Sequence, residues 1–329
     1  MARYHVYGIG NALVDMEYEV DPKDLETLGI DKGVMTLVDE EKQLQIMLHL
    51  ASHHHERASG GSAANTVIGL SQMGGHGYYS CKVADDELGH FYMRDLVEGG
   101  VDTNHHTKKD QGHTGRCVVL VTPDGDRTMC TFLGVSGNLS TNELVEEALR
   151  DSDWFYTEGY LVTSPAARAA SIRAREIAAA AGVRTALSLS DPNMVTFFKD
   201  GLLEMIGPGV DLIFANESEA LGMAGTDDLQ TAIDYLKTIS HEFAITCGAK
   251  GALVWDGQGL IEIAGNKVEV VDTVGAGDMF AGAFLFGLTH GWDHLRAGNL
   301  ASAASARLVT TLGPRLPREE TQEVLQGFV

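Results

Sequence analysis

The sequence predicts a three-layer α/β/α fold: a mainly parallel central sheet covered by helices on both faces, with a small β-sheet lid over one edge. Three observations predict it. In the second half of the chain, apolar runs of strand length alternate with longer stretches of helical period. Glycine clusters at Gly60-Gly61 and Gly275-Ala276-Gly277 stand just before helical stretches. Two strand-rich pieces, about 15–38 and 113–134, break the rhythm and are assigned to the lid. No repeat, low-complexity tract or linker intervenes, so residues 1–329 read as one domain with the lid inserted in it.

The elements follow in order. Val6–Ile9 reads as a short buried strand, and Met16, Tyr18 and Val20 alternate with acidic residues as in a half-exposed one. Asp21-Pro22 places an N-cap and a first-turn proline, and Val34–Val38 is a further strand. Asp39 caps a helix predicted over Glu40–His53, with Leu44, Met47, Leu48 and Ala51 as its apolar stripe. Helices are predicted from Gly60-Gly61 to near Gly74-Gly75 and over Asp86–Leu96. Arg116–Val121 and Thr128–Leu133 flank Pro123–Asp126 as a hairpin. Strands follow at Trp154–Thr157, Arg184–Leu189, Leu212–Ala215, Phe243–Thr246 and Ala252–Trp255. Helices cover Ser140–Leu149 (with a Ser140/Glu143 capping box), Pro165–Ala181, Asn216–Met223, Leu229–Ile239, Ala276–Leu288 and Leu295–Val309.

Composition narrows the function. A net charge of −22 argues against nucleic acid and anionic membrane surfaces as partners. It leaves ATP open, because backbone N–H groups and a few basic side chains can hold phosphate locally. Cys81, Cys117, Cys130 and Cys247 show no C-x-x-C spacing, which fits small core residues in a reducing, cytoplasmic setting. The first residues lack the apolar run of a signal peptide, and no stretch is apolar and long enough to span a membrane.

The strongest local signal is Asp272-Thr-Val-Gly-Ala-Gly-Asp278, followed by an apolar helical run. Small residues there let first-turn amides approach an anion, and Asp278 can accept a proton from an alcohol. A helix cap with a packing glycine explains the same residues more plainly. Gly60-Gly61-Ser-Ala-Ala-Asn65 offers a close backbone approach at Gly61 and a two-ended amide at Asn65, or an ordinary capped turn. Gly8-Ile-Gly10-Asn11 lacks the third glycine of a dinucleotide fingerprint, since Leu13 stands there. Asn11 and Asp15 leave the first strand where the lid begins and can bind hydroxyls or serve turn chemistry. Asn216-Glu-Ser-Glu219 ends an apolar strand, where an amide and a carboxylate can order Mg²⁺-bound water or cap the next helix. His53-His54-His55 and His105-His106 read as solvated faces, and Phe197-Phe198 and Trp154-Phe155-Tyr156 as core. Walker A, G-x-S-x-G and H-E-x-x-H patterns are absent.

Taken together and in this order, the segments resemble the ribokinase-like (PfkB) family of carbohydrate and nucleoside kinases, from Gly8 to about Pro314. Gly60–Gly75 resembles the family's first signature and Asp272–Leu285 its second. Asn216–Glu219 matches its N-x-x-E motif, and Thr246-Cys-Gly-Ala-Lys-Gly251 its nucleotide loop. Within the family the chain is most similar to adenosine kinases, at Tyr7–Asp15, Gly159–Pro165 and Phe197–Ala220. Their aromatic segment is one residue longer, with a second aromatic where Leu161 stands.

The resemblance implies an ATP-dependent phosphotransferase using Mg²⁺, most simply an adenosine kinase. Asp278 would be the base, with Gly275, Ala276 and Gly277 as its anion hole and Arg127 on the phosphoryl group. Asp15, Gly61 and Asn65, with Asn11 nearby, would hold sugar hydroxyls. Asn216 and Glu219 would organise Mg²⁺ and phosphate through water, and Thr246, Gly248, Gly251 and Asn299 would line the ATP site. Asp272, with the loop Thr311–Gly313, would be the K⁺ position used by many members. A kinase of a sugar or another nucleoside is the runner-up, and an idle nucleotide-binding regulator the rival from another class. An exposed lid edge also offers a route to a homodimer.

Overall fold

The structure is a computed structural model and describes residues 2–53, 55–104, 110–124 and 126–329. His54, His105, His106 and hairpin residue Gly125 lie outside the described residues. The first part of the chain runs β1 (Tyr4–Ile9), β2 (Leu13–Glu19), α1 (Pro22–Leu28), β3 (Met35–Leu37), α2 (Glu40–His49), β4 (His55–Gly60), α3 (Ser62–Gln72), β5 (Gly77–Ser80), α4 (Glu87–Glu98), β6 (Val101–Thr103), β7 (Gly115–Val121) and β8 (Arg127–Phe132). It continues through α5 (Glu146–Arg150), β9 (Ser152–Glu158), α6 (Pro165–Ala181), β10 (Arg184–Ser188), α7 (Pro192–Ile206), β11 (Val210–Asn216), α8 (Glu217–Ala224), α9 (Leu229–Ile239) and β12 (Ser240–Thr246). The last part holds β13 (Gly251–Trp255), β14 (Leu260–Ala264), α10 (Ala276–Thr289), α11 (His294–Leu308) and α12 (Arg318–Gln326).

The large sheet has the order β14-β13-β12-β11-β10-β9-β1-β5-β6. It is parallel from β12 to β6, while β13 and β14 form an antiparallel edge. Two apolar clusters lie on its opposite faces, as expected for a sheet covered by helices on both sides. Carboxyl ends of β1, β9, β11 and β12 therefore point the same way, and ligands of such sheets bind at that end. The small sheet has the order β3-β8-β7-β2-β4 and stands over that end.

Several elements differ from expectation. Strand β4 is absent from the sequence reading because His55–Gly60 carries few strand-favouring side chains. Pairing with β2, from Leu13 opposite Gly60 to Tyr18 opposite His55, makes it a strand. Strands β5, β6 and β14 were likewise unread, being short. Helix α2 stops at His49, and its buried face is Gln43, Ile46 and then Leu50. Leu44 and Leu48 of the expected stripe are 59% and 68% exposed, and α2 instead packs its Ile46 face toward β8 and the core. The Ser140/Glu143 capping box forms but opens only a 3₁₀ turn, and α5 starts afterwards. Phe197 and Phe198 are 72% and 39% exposed and so are not core; Phe198 sits at a break in α7 with φ −132° and ψ 23°. Trp154, Phe155 and Tyr156 are buried as expected. All four cysteines are free, and no described helix is long and apolar enough to cross a membrane.

Helix α10 is apolar almost all round and buried along most of its length, as a helix inside a layer must be. It lies against α3 with no side chain between them at Gly282, where a Cβ would stand 2.5 Å from the Thr66 carbonyl oxygen. Helix α3 lies just as close to β1, where a Cβ on Gly8 would stand 2.7 Å from Val67 Cγ2. Gly282→Ala must push α3 and α10 apart. It is expected to lower stability by about 1–3 kcal/mol in urea unfolding, the usual cost of an added core methyl. An unchanged unfolding midpoint in that variant would show that the two helices have slack.

Candidate active site

A cavity of about 420 Å³ lies between the strand ends, the start of α10 and the small sheet. Asn11, Asp15, Gly61, Asn65, Asn216, Glu219, Thr246, Gly275, Gly277 and Asp278 all line it. Residues from the whole length of the chain thus converge, as the sequence reading expected of a single site.

Two glycines shape its floor. Gly61 has φ 105°, and a Cβ there would lie 2.3 Å from the Asn11 carbonyl oxygen, so only glycine lets α3 start beside β1. Gly275 caps α10 with φ 76°, and its missing Cβ would lie 2.4 Å from the Pro314 carbonyl oxygen. By contrast, nothing lies within 4 Å of the Cβ position of Gly277. That open space borders first-turn amides of α10, which lack partners within the helix. The local geometry therefore fits an anion such as a transferring phosphoryl group.

Asp278 sits in this first turn. Ser62 Oγ donates to its Oδ1 at 2.6 Å and Asn65 Nδ2 to its Oδ2 at 3.1 Å. Burial pushes its carboxyl up to about 6, against the opposing pull of those two hydrogen bonds and the Arg315 charge. It is thus mostly ionised near neutral pH, as an alcohol's base must be.

Four further carboxyls line the cavity: Asp15, Glu158, Asp191 and Glu219. Burial raises Asp15 to about 7, opposed by Arg315 and reinforced by Asp278 and Glu17. Gly60 makes room for Asp15, since a Cβ there would lie 2.3 Å from Asp15 Oδ2. Burial likewise raises Glu158 to about 7, although Asn11 N (2.8 Å), Asn11 Nδ2 (3.0 Å) and Ala63 N (2.7 Å) all donate to it. Glu219, again through burial, rises to about 7. It closes a capping box with Asn216: Asn216 N and Nδ2 donate to Glu219 at 2.9 and 2.8 Å, and Glu219 N donates to Asn216 Oδ1 at 2.8 Å.

Other expected site residues lie outside the cavity lining. Arg127 does not reach into it but pairs with Glu17 at 3.1 Å and with Asp272 at 3.2 Å. Asp272 is buried and accepts from Val274 N at 3.1 Å and Gly313 N at 2.8 Å. The Ala276 carbonyl accepts from Ser305 Oγ at 2.9 Å, fixing α10 to α11. Gly248 stands in a turn after β12 with φ 57° and open space around it. Gly251 opens β13 with φ 99°, pressed against the Ile263 carbonyl, and Asn299 is half-buried on α11. Among the described residues, no cluster of three or more His, Cys, Asp or Glu side chains is arranged to hold a metal ion directly.

The sequence reading missed Glu158, Ser62, Tyr160 and Arg315. Glu158 had a signal: a carboxylate just past the apolar run Trp154–Thr157, at the carboxyl end of a parallel strand. Ser190, also in the lining, has φ 71°, and its Oγ accepts from Gly159 N at 2.8 Å. Such a φ in a non-glycine residue occurs mainly at functional sites and turns.

The raised carboxyls predict a pH dependence of stability. Their folded-state values exceed the unfolded ones near 4, so the folded chain holds these protons more tightly. Their stabilisation is full below about pH 4 and is lost as pH rises through about 6–7. Without ligand, the urea midpoint is expected to fall between about pH 5.5 and about pH 8, and Glu219→Gln to flatten that fall. A midpoint that rises over this interval in the wild type would contradict the burial argument.

The chain is similar to known proteins along nearly its whole length. The pattern of the pfkB family carbohydrate kinases matches residues 23–321. The chain is 36% identical to the adenosine kinase from Sinorhizobium meliloti, with a TM-score of 0.90 and 99% of each chain covered. It is 33% identical to a probable sugar kinase protein from Rhizobium etli CFN 42, with a TM-score of 0.91 and 100% of each chain covered. An adenosine kinase of Schizophyllum commune is 29% identical over 353 residues, covering 98% of this chain and 99% of the relative. With one fold, one convergent cavity and a match over nearly its whole length, the chain belongs to the pfkB family of carbohydrate kinases.

Proposed function

We propose that this kinase transfers a phosphoryl group from MgATP to the 5′-hydroxyl of adenosine, giving ADP and AMP, with Asp278 as the base. The observation that carries the reading is Asp278 in the first turn of α10, beside the open space at Gly277. MgATP, when bound, supplies the phosphoryl group and the ADP leaving group. The ionised Asp278 carboxylate takes the proton of the acceptor hydroxyl as its oxygen bonds to phosphorus. First-turn amides of α10 face the charge that develops, a preorganised contribution of the kind that dominates phosphoryl transfer.

Acceptor choice rests on the cavity's other end. Leu13, Met35, Leu37, Met129 and Leu133 of the small sheet and its flanks form an apolar collar there. A flat base buries well against such a collar, whereas a free sugar would leave its hydroxyls unpaired there. Asp15 and the Gly61 backbone remain the groups for a ribose diol. Asn11 and Asn65 instead act indirectly, through Glu158 and Asp278. Glu219 keeps lone pairs beyond those that Asn216 fills, which suits Mg²⁺ held through water rather than directly. Thr246 and the open turn at Gly248 are assigned to the nucleotide side. Asp272 is occupied by Arg127 and two amides, so K⁺ is given no step here. The small sheet serves as a lid inserted in a single kinase domain, and its closure would exclude water from the transfer. Such a reaction returns a nucleoside to the cytoplasmic purine pool.

ADP release with MgATP tests the acceptor across adenosine, inosine, guanosine, ribose and fructose. Adenosine is expected to give the highest kcat/KM. A preference for ribose or fructose would replace this reading with a sugar kinase, and no turnover with any acceptor would replace it with an idle nucleotide binder. Asp278→Asn is expected to lower kcat by roughly 10²–10⁴-fold, the range for a lost general base. Near-wild-type turnover in that variant would remove Asp278 from the mechanism.

A further inference from the structure

We propose that Arg315 is a positioning residue for the Asp278 base, acting by fixing which end of the Asn65 amide meets the Asp278 carboxylate. The proposal rests on the reading of Asp278 as the base. Arg315 Nε donates to Asn65 Oδ1 at 2.8 Å, and Asn65 Nδ2 donates to Asp278 Oδ2 at 3.1 Å. A guanidinium has donors only, so the amide oxygen must face it and the amide N–H must face Asp278. A flipped amide would set its oxygen against the carboxylate, losing a charge-assisted hydrogen bond and adding repulsion.

Arg315 is itself held firmly. Its Nη1 lies 2.9 Å from Ser59 Oγ on β4 and 3.1 Å from Asp95 Oδ2 on α4, and its side chain is only 16% exposed. The loop that carries it is pinned on both sides. The Pro314 carbonyl packs on Gly275, the cap of α10, and the Leu316 carbonyl accepts from Gln72 Nε2 at 3.0 Å. Nη2 is buried without a hydrogen-bond partner among the described residues, so Asp95 does not use all of the guanidinium. Its charge is felt at both Asp15 and Asp278. Besides Arg315, the titratable groups around Asp278 are Asp15 on β2, Tyr156 and Glu158 on β9, Tyr160 after it, Asp191 just before α7, and Glu219 on α8. Each is neutral or negative, so within this set Arg315 alone favours the ionised base.

The test compares wild type, Arg315→Met, Arg315→Lys and Asp278→Asn as full-length protein. The pH dependence of kcat/KM is measured with MgATP and the acceptor preferred by the wild type, alongside thermal midpoints. In Arg315→Met the acid limb is expected to move to higher pH by about one unit, because a cation near the base is lost. Its kcat is expected to fall roughly 10–100-fold from misplacement of the base. Arg315→Lys is expected to keep the wild-type limb, since the charge remains, yet to lose kcat because one ammonium cannot reach Asn65 and the Ser59–Asp95 anchor together. An unshifted limb in a folded Arg315→Met overturns the proposal. Should Arg315→Met not fold, wild-type kcat in Arg315→Lys overturns it equally. Full turnover in Asp278→Asn removes the base reading and this proposal with it. Lost turnover there, with an unshifted limb in Arg315→Met, removes this proposal alone.

Discussion

Helices α3 and α10 meet backbone to backbone at Gly282, and the site depends on that contact. Asn65 and Ser62 begin α3, Asp278 begins α10, and their hydrogen bonds of 3.1 and 2.6 Å exist only at this separation. Gly282 against Thr66 sets the distance from below. Gly275 against Pro314 fixes where α10 starts. Gly8 then brings α3 onto β1, so both helix N-termini arrive at the carboxyl edge of the parallel strands. Backbone packing, more than any catalytic side chain, is what aligns the chemistry.

That alignment concentrates negative charge. Asp15, Glu158, Glu219 and Asp278 surround one cavity, and burial raises each of them. Three of them are held by donors that limit the rise: amides at Glu158 and Glu219, a hydroxyl and an amide side chain at Asp278; at Asp15 the Arg315 charge does this. Arg315 adds the countercharge from beneath the cavity, anchored outside it by Asp95. Arg127 plays a different part, linking the small sheet to the loop before α10 through Glu17 and Asp272. A nucleotide's phosphates would enter where amide dipoles, rather than free cations, offset this field.

Much of the architecture was legible because its signals are local. The capping boxes at Ser140/Glu143 and Asn216/Glu219 close over three residues, and both form. The alternation of strands and helices in the second half needs only short windows, and most of those elements appear near their expected bounds; α7 was not read, and the helix expected over Ser140–Leu149 shrinks to α5. Strand β4 and the buried face of α2 were not legible. Each was decided by a partner distant in sequence: β2 for the strand, β8 for the helix. Phe197 misled for the opposite reason, since an aromatic pair says nothing about which side of a helix faces water.

The sequence by itself determined the parts of the site that lie within one turn: Gly275 to Asp278 at one helix start, Gly60 to Asn65 at another, and Asn216 with Glu219 at a third. Each is a helix start whose turn or cap is encoded within a few residues. Tertiary structure alone decided what those segments face. It set Glu158 under Asn11 and Ala63, turned Arg127 onto Asp272, and brought Arg315 to Asn65 across 250 positions. The reason is range: a cap or a glycine turn is a contact between near neighbours. The pairing of a buried charge depends on which distant elements the core has drawn together.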